Sequence, residues 1–401
     1  MGMIRNKRKI IIIAGESSGD MHGAGLVRAV KEIDPDIRFL GIGGPKMEAA
    51  GVELFWDVTR QAAIGIFEVA FALPRLISLA LETIRRIRAI RPNLVIMIDY
   101  PDFNLGVAKR LDIRSIPIIY YVSPQVWAWR RYRINTIARR IAKILVFFDF
   151  EREMYERFGI DAEFVGHPLV DELSHVEPDP DFRKNAGIPG EGRLIGLLPG
   201  SRDKEFKRLW PLERDAAKII RAKYPDANFC LGLAPGLNKK MVEAAKREAP
   251  DYITFVEGKT HQLMQAADCM IIASGTATVE AAFFGTPMVM VYKVNTLTWL
   301  TLILLIKIKT YAMCNIIAGK RIIPERVQWE ATPKIVAGDI IDMIENNRLP
   351  KIRQELAVVR RKLGEPGAAG RAAEIVTRFL DDREAGRLRL PDSWVGKTSR
   401  K

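Results

Sequence analysis

Short apolar runs rich in β-branched residues alternate along this chain with longer stretches of helical periodicity, and the alternation occurs twice. KIIIIAG, IRFLGIG, LVIMID, PIIYYV, KILVFF and EFVG fall within the first 166 residues. Strands of this kind, separated by amphipathic helices, form βαβ units and a parallel sheet covered on both faces. A stretch rich in Pro, Gly and Asp follows, HPLVDELSHVEPDPDFRKNAGIPGEG, and the pattern restarts with RLIGLLPG, NFCLGLAPG, ITFVEG, CMIIASG and PMVMVYK. Two α/β domains of Rossmann-like design are therefore expected, over 1–168 and 169–345. From Thr332 onward the pattern is helical only. Residues 346–381 read as C-terminal helices able to pack back on the N-terminal domain, and 382–401 as a basic tail.

Charge and cysteine usage narrow the function classes. The 62 basic against 48 acidic residues leave +14, which favours anionic partners: nucleic acid, a phospholipid surface or a phosphorylated substrate. Cys230, Cys269 and Cys314 are an odd number at wide spacing, which suits reduced core residues better than disulfides or a metal site. The N-terminal MGMIRNKRK is basic, but the short apolar stretch after it runs straight into GESSGD without a cleavage pattern. No signal peptide is expected, and the cytoplasm is the default location. The runs from Ile64 to Leu81 and from Leu297 to Ile306 fall short of the ~20 apolar residues that a spanning helix needs. Each reads as buried helix or, because basic residues border both, as a surface that dips into a membrane or cradles acyl chains.

Open parallel sheets bind ligands beyond the carboxyl ends of their strands, so the residues just after each strand are the ones to inspect. The first loop, GESSGDMHGAG, does not fit the dinucleotide spacing, and its acids would repel a phosphate. Glu16 and Asp20 are instead expected to accept hydrogen bonds from sugar hydroxyls, with His22 orienting a substrate. Helix capping by Asp20 is the alternative. Asp99 closes LVIMID on the same rim, followed by Tyr100 to Asn104. It reads as a general base for a hydroxyl or as a helix cap, with Glu16 the next carboxylate for the catalytic role.

In the second half LLPGSR offers backbone donors and the guanidinium of Arg202, a fitting cradle for a diphosphate. Ser274, Gly275 and Thr276 sit at a helix start, where anions bind. Glu280, one turn on, is placed to reach ribose hydroxyls. The Asp-Pro-Asp pairs at 34–36 and 179–181 lie in turn-like stretches and the four histidines lack ligand spacing, so no metal is expected. His167, His175 and His261 read as structural. VWAWRRYRINTIARRIAK interleaves aromatics with arginines as single-stranded nucleic-acid sites do, but no RRM, KH or helix-turn-helix signature accompanies it, so nucleic acid is not expected as a partner.

GESSGDMHGA, GIGGPKMEAAG, LPRL, IDYPDFN, YYVSPQVWAWR, GHPLVDEL, LLPGSR, ASGTATVE and NIIAGK occur in an order and spacing that resembles the lipid-A-disaccharide synthase family, from about Ile10 to Arg378. The resemblance implies a GT-B fold, two Rossmann-like parallel-sheet domains facing across a cleft, with the acceptor on the first domain and the UDP-sugar on the second. It implies inverting transfer of 2,3-diacylglucosamine from UDP-2,3-diacylglucosamine (UDP-diacylglucosamine) to the 6-hydroxyl of diacylglucosamine 1-phosphate, without metal or cofactor. Work at the acidic inner face of the inner membrane, with no span across it, suits both amphiphilic substrates, and homodimerisation is compatible with it. In this resemblance Asp99 matches the base, and Arg202, Glu280 and Asn315 match nucleotide-side residues; apart from the resemblance, Ser17 and Asn104 on the rim loops of the first domain are candidate substrate contacts. Ser17 stands where the family usually has Ala, and Cys314 where it usually has Pro. A UDP-sugar epimerase on the same fold and a basic nucleic-acid-binding module are the rival readings.

Overall fold

The computed structural model describes residues 8–57, 69–127, 130, 132–189, 191–296, 299 and 310–388, with the backbone alone over 69–75. The tail beyond 388, residues 64–68, and the 297–306 run apart from Trp299 lie outside the described residues. The chain divides into two compact units, one formed by residues up to Pro168 together with those from Glu365, the other by Leu169–Gly364.

In the first unit seven parallel strands form one sheet: β1 (Lys9–Ala14), β2 (Arg38–Gly43), β3 (Val52–Asp57), β4 (Leu94–Ile98), β5 (Ile118–Tyr121), β6 (Lys143–Val146) and β7 (Ala162–Phe164). Their spatial order is β3-β2-β1-β4-β5-β6-β7. The register pairs Ile10 with Phe39 on one side and with Leu94 on the other. Ile10 to Ile13 and all of β4 are wholly buried, as strands covered on both faces must be. The helices are α1 (Ser17–Ile33), α2 (Pro45–Ala49), α3 (Val69–Ile90), α4 (Pro101–Ala108), α5 (Arg133–Arg140) and α6 (Asp149–Glu156).

The second unit opens with α7 (Leu169–Ser174) and α8 (Phe182–Asn185). Its sheet comprises β8 (Leu194–Leu198), β9 (Asn228–Leu233), β10 (Ile253–Glu257), β11 (Cys269–Ala273), β12 (Met288–Tyr292) and β13 (Glu325–Val327). Their order is β10-β9-β8-β11-β12-β13, again parallel. Connecting helices include α9 (Asp203–Lys223), α10 (Lys239–Glu248), α11 (Thr260–Ala266) and α12 (Ala277–Phe284). In each unit the strand order reverses beside the first strand, between β1 and β4 and between β8 and β11. Those are the switch points where doubly wound sheets leave a crevice at their carboxyl edge.

The C-terminal helices divide between the two units. The helix Leu349–Lys362 buries Ile352, Leu356 and Val359 within the second unit, and Lys362 Nζ donates to the Ile317 carbonyl at 3.0 Å. Helix Ala368–Glu384 belongs to the first unit, where it packs on α1. Arg8, 8% exposed and leading into β1, donates to Glu384 at 2.9 Å and Asp381 at 2.5 Å, while Arg371 Nε donates to the Val165 carbonyl at 2.9 Å.

Candidate active site

At the first unit's switch point β1 runs out through Gly15 and Glu16, and α1 begins at Ser17. The glycine-rich loop suggested by the sequence is thus only two residues long, and Gly19, Gly23 and Gly25 lie inside the helix. Gly19 and Gly23 are packing glycines there: a Cβ at 19 would stand 3.2 Å from the Ala14 Cβ, and one at 23 would stand 2.7 Å from the Met47 sulfur. Gly15 has a different task. A Cβ there would come within 2.3 Å of the Tyr100 ring, so glycine lets the β4 loop lie against the β1 loop.

Beside it, Asp99 and Tyr100 both hold left-handed backbone, with φ of 43° and 46°. Such conformations cost non-glycine residues roughly 1–3 kcal/mol each and persist only where the surroundings impose them. Here the Asp99 carbonyl accepts Tyr120 Oη at 2.5 Å and Asn104 Nδ2 at 2.7 Å, and Asn104 also donates to the Ile98 carbonyl at 3.2 Å. Asn104 is fully buried, so it fixes the Asp99 peptide from beneath. Burial raises the basicity of the Asp99 carboxyl, the negative charge of Glu16 raises it further, and a hydrogen bond from the Tyr100 backbone opposes both. Glu16 and Ser17 are exposed at the positive end of α1.

Asp20 takes a different part from the sugar contact expected of it. Its buried carboxylate accepts the backbone N–H groups of Gly44 (2.8 Å), Lys46 (3.0 Å) and Met47 (2.9 Å). It caps α2, a helix other than its own, because α2 starts with three donors that no carbonyl can reach. His22 meets the Phe147 ring edge-on at 5.3 Å, and Phe147 meets His167 at the same 5.3 Å. Desolvation, aided for His22 by Lys46 and for His167 by His22, pushes both imidazoles down to about 4, so both are neutral at pH 7. His167, expected to be structural, thus shares an aromatic cluster with His22.

The SPQVW segment after β5 is held by a buried carboxyl that sequence reasoning missed. Glu151 on α6 accepts Ser123 Oγ at 2.9 Å and Trp127 Nε1 at 3.1 Å, and burial raises it to about 7. Its signal was the pair Glu151 and Tyr155, one turn apart and both facing inward on α6. Further along the same aromatic and arginine run, Arg130 and Arg133 grip Asp102.

The second unit's switch point carries LLPGSR after β8 and ASGT after β11. Gly200 has φ of 111°, and Arg202, 80% exposed, pairs with Glu205 at 2.9 Å. An exposed pair of this kind is worth at most about 1 kcal/mol and is readily exchanged for a phosphate. Ser274, Gly275 (φ 147°) and Thr276 lead into α12, with Gly275 and Thr276 exposed and open space around Gly275. Glu280 bonds His261 Nε2 at 3.2 Å, which raises the His261 pKa. His261, expected to be structural, follows β10 onto this same rim, a position its THQL context signals only through the preceding strand.

Asn315 is spent within the protein. Its Oδ1 accepts Ile322 N (2.8 Å) and Ile323 N (3.1 Å), while its Nδ2 donates to the Ile323 carbonyl (3.0 Å) and Glu325 Oε1 (2.8 Å). Buried Glu325 also caps Tyr311 N and Ala312 N. The expected nucleotide contact by this side chain gives way to a latch that closes the NIIAGKRIIPE turn, since each polar atom already has partners. Among the described residues no three His, Cys, Asp or Glu side chains are grouped as a metal would require.

The model of the lipid-A-disaccharide synthetase family matches residues 10–379. A lipid-A-disaccharide synthase of Syntrophus aciditrophicus (strain SB) is 39% identical over 377 residues, covering 94% of this chain and 98% of that protein. Among solved structures, the calicheamicin glycosyltransferase CalG4 aligns with a TM-score of 0.60 at 15% identity, over 94% of this chain and 99% of its own. A putative UDP-N-acetylglucosamine 2-epimerase from Listeria monocytogenes gives 0.58 at 14%, over 96% and 99%. At such identities the two structures bear on the fold alone, and they place transferase and epimerase on one architecture. The family match separates them, and with two Rossmann-like sheets and 39% identity over nearly the whole length, the chain belongs to the lipid-A-disaccharide synthetase family of GT-B glycosyltransferases.

Proposed function

We propose that this enzyme transfers 2,3-diacylglucosamine from its UDP ester to the 6-hydroxyl of 2,3-diacylglucosamine 1-phosphate, by a single inverting displacement. The observation that carries the reading is Asp99, a carboxylate at the carboxyl end of β4, beside the switch point, whose basicity burial and Glu16 both raise. As the acceptor's 6-oxygen forms its bond to the anomeric carbon, its proton passes to Asp99. The bond from that carbon to the diphosphate breaks, and its electron pair leaves on UDP. Inversion gives the β-1,6 disaccharide.

The first unit serves the acceptor: Glu16 and Ser17 offer hydrogen bonds to sugar hydroxyls, and the neutral His22 orients the ring. On the second unit Arg202 and the Ser274–Thr276 start of α12 neutralise the leaving diphosphate, and Glu280 receives the ribose hydroxyls with His261 behind it. With that charge supplied by the protein, neither metal nor cofactor takes part.

Both substrates carry acyl chains, so the enzyme works on the acidic cytoplasmic face of the inner membrane. No helix among the described residues is long and apolar enough to cross it. Exposed Ile77 and Leu81 on α3, and Trp329 at 65% exposure packed edge-on against Trp299, suit shallow insertion. Pelleting with acidic liposomes, weakened by molar salt, checks this part.

Product analysis tests the whole. UDP and a disaccharide should form only when UDP-diacylglucosamine and the lipid monosaccharide phosphate are both present, and EDTA should leave the rate unchanged. An epimerised UDP-sugar formed without acceptor would favour the epimerase reading, and activity lost to EDTA and restored by magnesium would contradict the metal-free one.

A further inference from the structure

The first unit carries a second polar concavity, at the sheet edge opposite Gly15 and Asp99. There the segments leading into β4, β5 and β6 meet the carboxyl ends of α3, α4 and α5 and of helix Ala368–Glu384, around an open groove of about 900 Å³. Arg88, Arg91, Lys109, Arg110, Arg140 and Arg383 line it, with Asp112 as the only acid among the lining residues.

Several other arginines of the unit are paired with carboxylates: Arg8 with Glu384, Arg38 with Glu53, Arg152 with Asp149. In the groove the pattern changes, and among the described residues none of the six cations forms a salt bridge. Arg88 Nη2 donates to the Arg110 carbonyl (2.8 Å), Arg110 Nη1 to the Gly106 carbonyl (3.1 Å) and Arg140 Nη1 to the Leu111 carbonyl (3.4 Å). Arg383 donates to the carbonyls of Asn93 and Ser115. Neutral partners hold these guanidinium groups in place without cancelling their charge, and each keeps further N–H donors.

Helix carboxyl ends attract cations, which accounts for part of the cluster. Each end carries about half a negative charge, so four ends and Asp112 offset roughly three of the six positive charges. The excess of about three is what a discrete polyanion would neutralise. The lining has no aromatic side chain on which a base could stack, and its apolar part is limited to Pro92, Leu111 and Ile116. The cations line a concavity, where a compact ligand meets several of them at once and a flat bilayer does not.

We propose that this groove binds a compact multivalent phosphate of the di- or triphosphate class, at a site separate from the reaction rim. Because Arg383 comes from the C-terminal helix and the other cations from the ends of α3, α4 and α5 and the turns just after them, an occupant ties that helix to the sheet edge.

The test is calorimetric titration of inorganic tripolyphosphate into the full chain at low salt, with UDP saturating so that the diphosphate site of the second unit is filled. One-to-one binding that weakens steeply with salt is expected, together with a rise in Tm. Lys109→Glu with Arg110→Glu, both exposed positions, should weaken it by about 10- to 100-fold or more while leaving turnover unchanged. Arg88→Gln, a milder change, should weaken it by about tenfold, so the proposal stays testable should the double variant fold poorly. Absence of binding at low salt, or equal binding by the variants, overturns it. So does phosphatidylglycerol vesicle binding that depends on these residues while tripolyphosphate neither binds nor competes, an outcome that would make the groove a membrane contact.

Discussion

Replacing Asp20 separates a structural carboxylate from a substrate-binding one. Its two oxygens receive three backbone N–H groups, from Gly44 at 2.8 Å, Lys46 at 3.0 Å and Met47 at 2.9 Å, and the residue is 3% exposed. A hydrogen bond to a charged group contributes about 1.5–3 kcal/mol taken alone, and an N-cap about 0.5–2. Three bonds sharing one carboxylate do not add fully, so Asp20→Ala should cost roughly 3–5 kcal/mol, mostly by leaving buried donors unpaired. Asp20→Asn keeps one acceptor oxygen for Gly44 and Met47 but turns an amide toward the Lys46 N–H, for roughly 1–2 kcal/mol. In a unit of this size each kcal/mol moves Tm by about 2–4 °C, so the alanine variant should melt roughly 6–20 °C lower. Calorimetric melting reads this, and acceptor KM measured on the folded fraction should stay within about threefold of wild type, under 1 kcal/mol. An unchanged Tm with an acceptor KM raised tenfold or more would refute the capping argument and return Asp20 to the substrate.

Three further outcomes follow from the site. Glu16→Gln removes a negative charge that raises the Asp99 pKa, so the acid limb of kcat/KM should move to lower pH; an unmoved limb would contradict the coupling. Arg202→Ala should weaken UDP binding by about 10- to 100-fold with little change in Tm, since its pairing with Glu205 is exposed; unchanged affinity in a titration would remove it from the diphosphate site. His22 and His167 sit at about 4 when folded against about 6.5 unfolded, so below pH 6.5 the unfolded chain binds protons that the native one refuses. Wild type should therefore lose stability relative to His167→Phe by up to about 1.4 kcal/mol per pH unit between pH 6.5 and 4, measured by urea unfolding; a pH-independent difference would contradict the burial argument.

The doubly wound architecture was legible because strands such as IIII and LVIMI are buried on both faces and so read as continuous apolar runs. β3 was not, since VELFWD is an edge strand whose Glu53 and Asp57 break the run, and β13 is only three residues long. The rim loops could be located from strand ends alone, which brought Glu16, Asp99, Arg202 and the Ser274–Thr276 segment into view. Which polar side chains the protein keeps for itself could not be read that way. Asp20 and Asn315 lie on or near those loops, yet their partners sit 24 to 27 and 7 to 10 residues away in sequence. The partners become visible only when α2 and the 322–325 turn fold back. Glu151 and His261 were missed for the same reason: each draws its role from a neighbour on another element.

The central claim, that Asp99 takes the proton from the attacking hydroxyl, is tested most directly by a single-turnover measurement on Asp99→Asn with both substrates bound. This change keeps the side chain's size and leaves the peptide held by Tyr120 and Asn104 through the Asp99 carbonyl. UDP-sugar affinity should be unchanged while the rate of disaccharide formation falls roughly 10²- to 10⁴-fold, the usual worth of a positioned base. Disaccharide formed at close to the wild-type rate would contradict the assignment and move the search to Glu16.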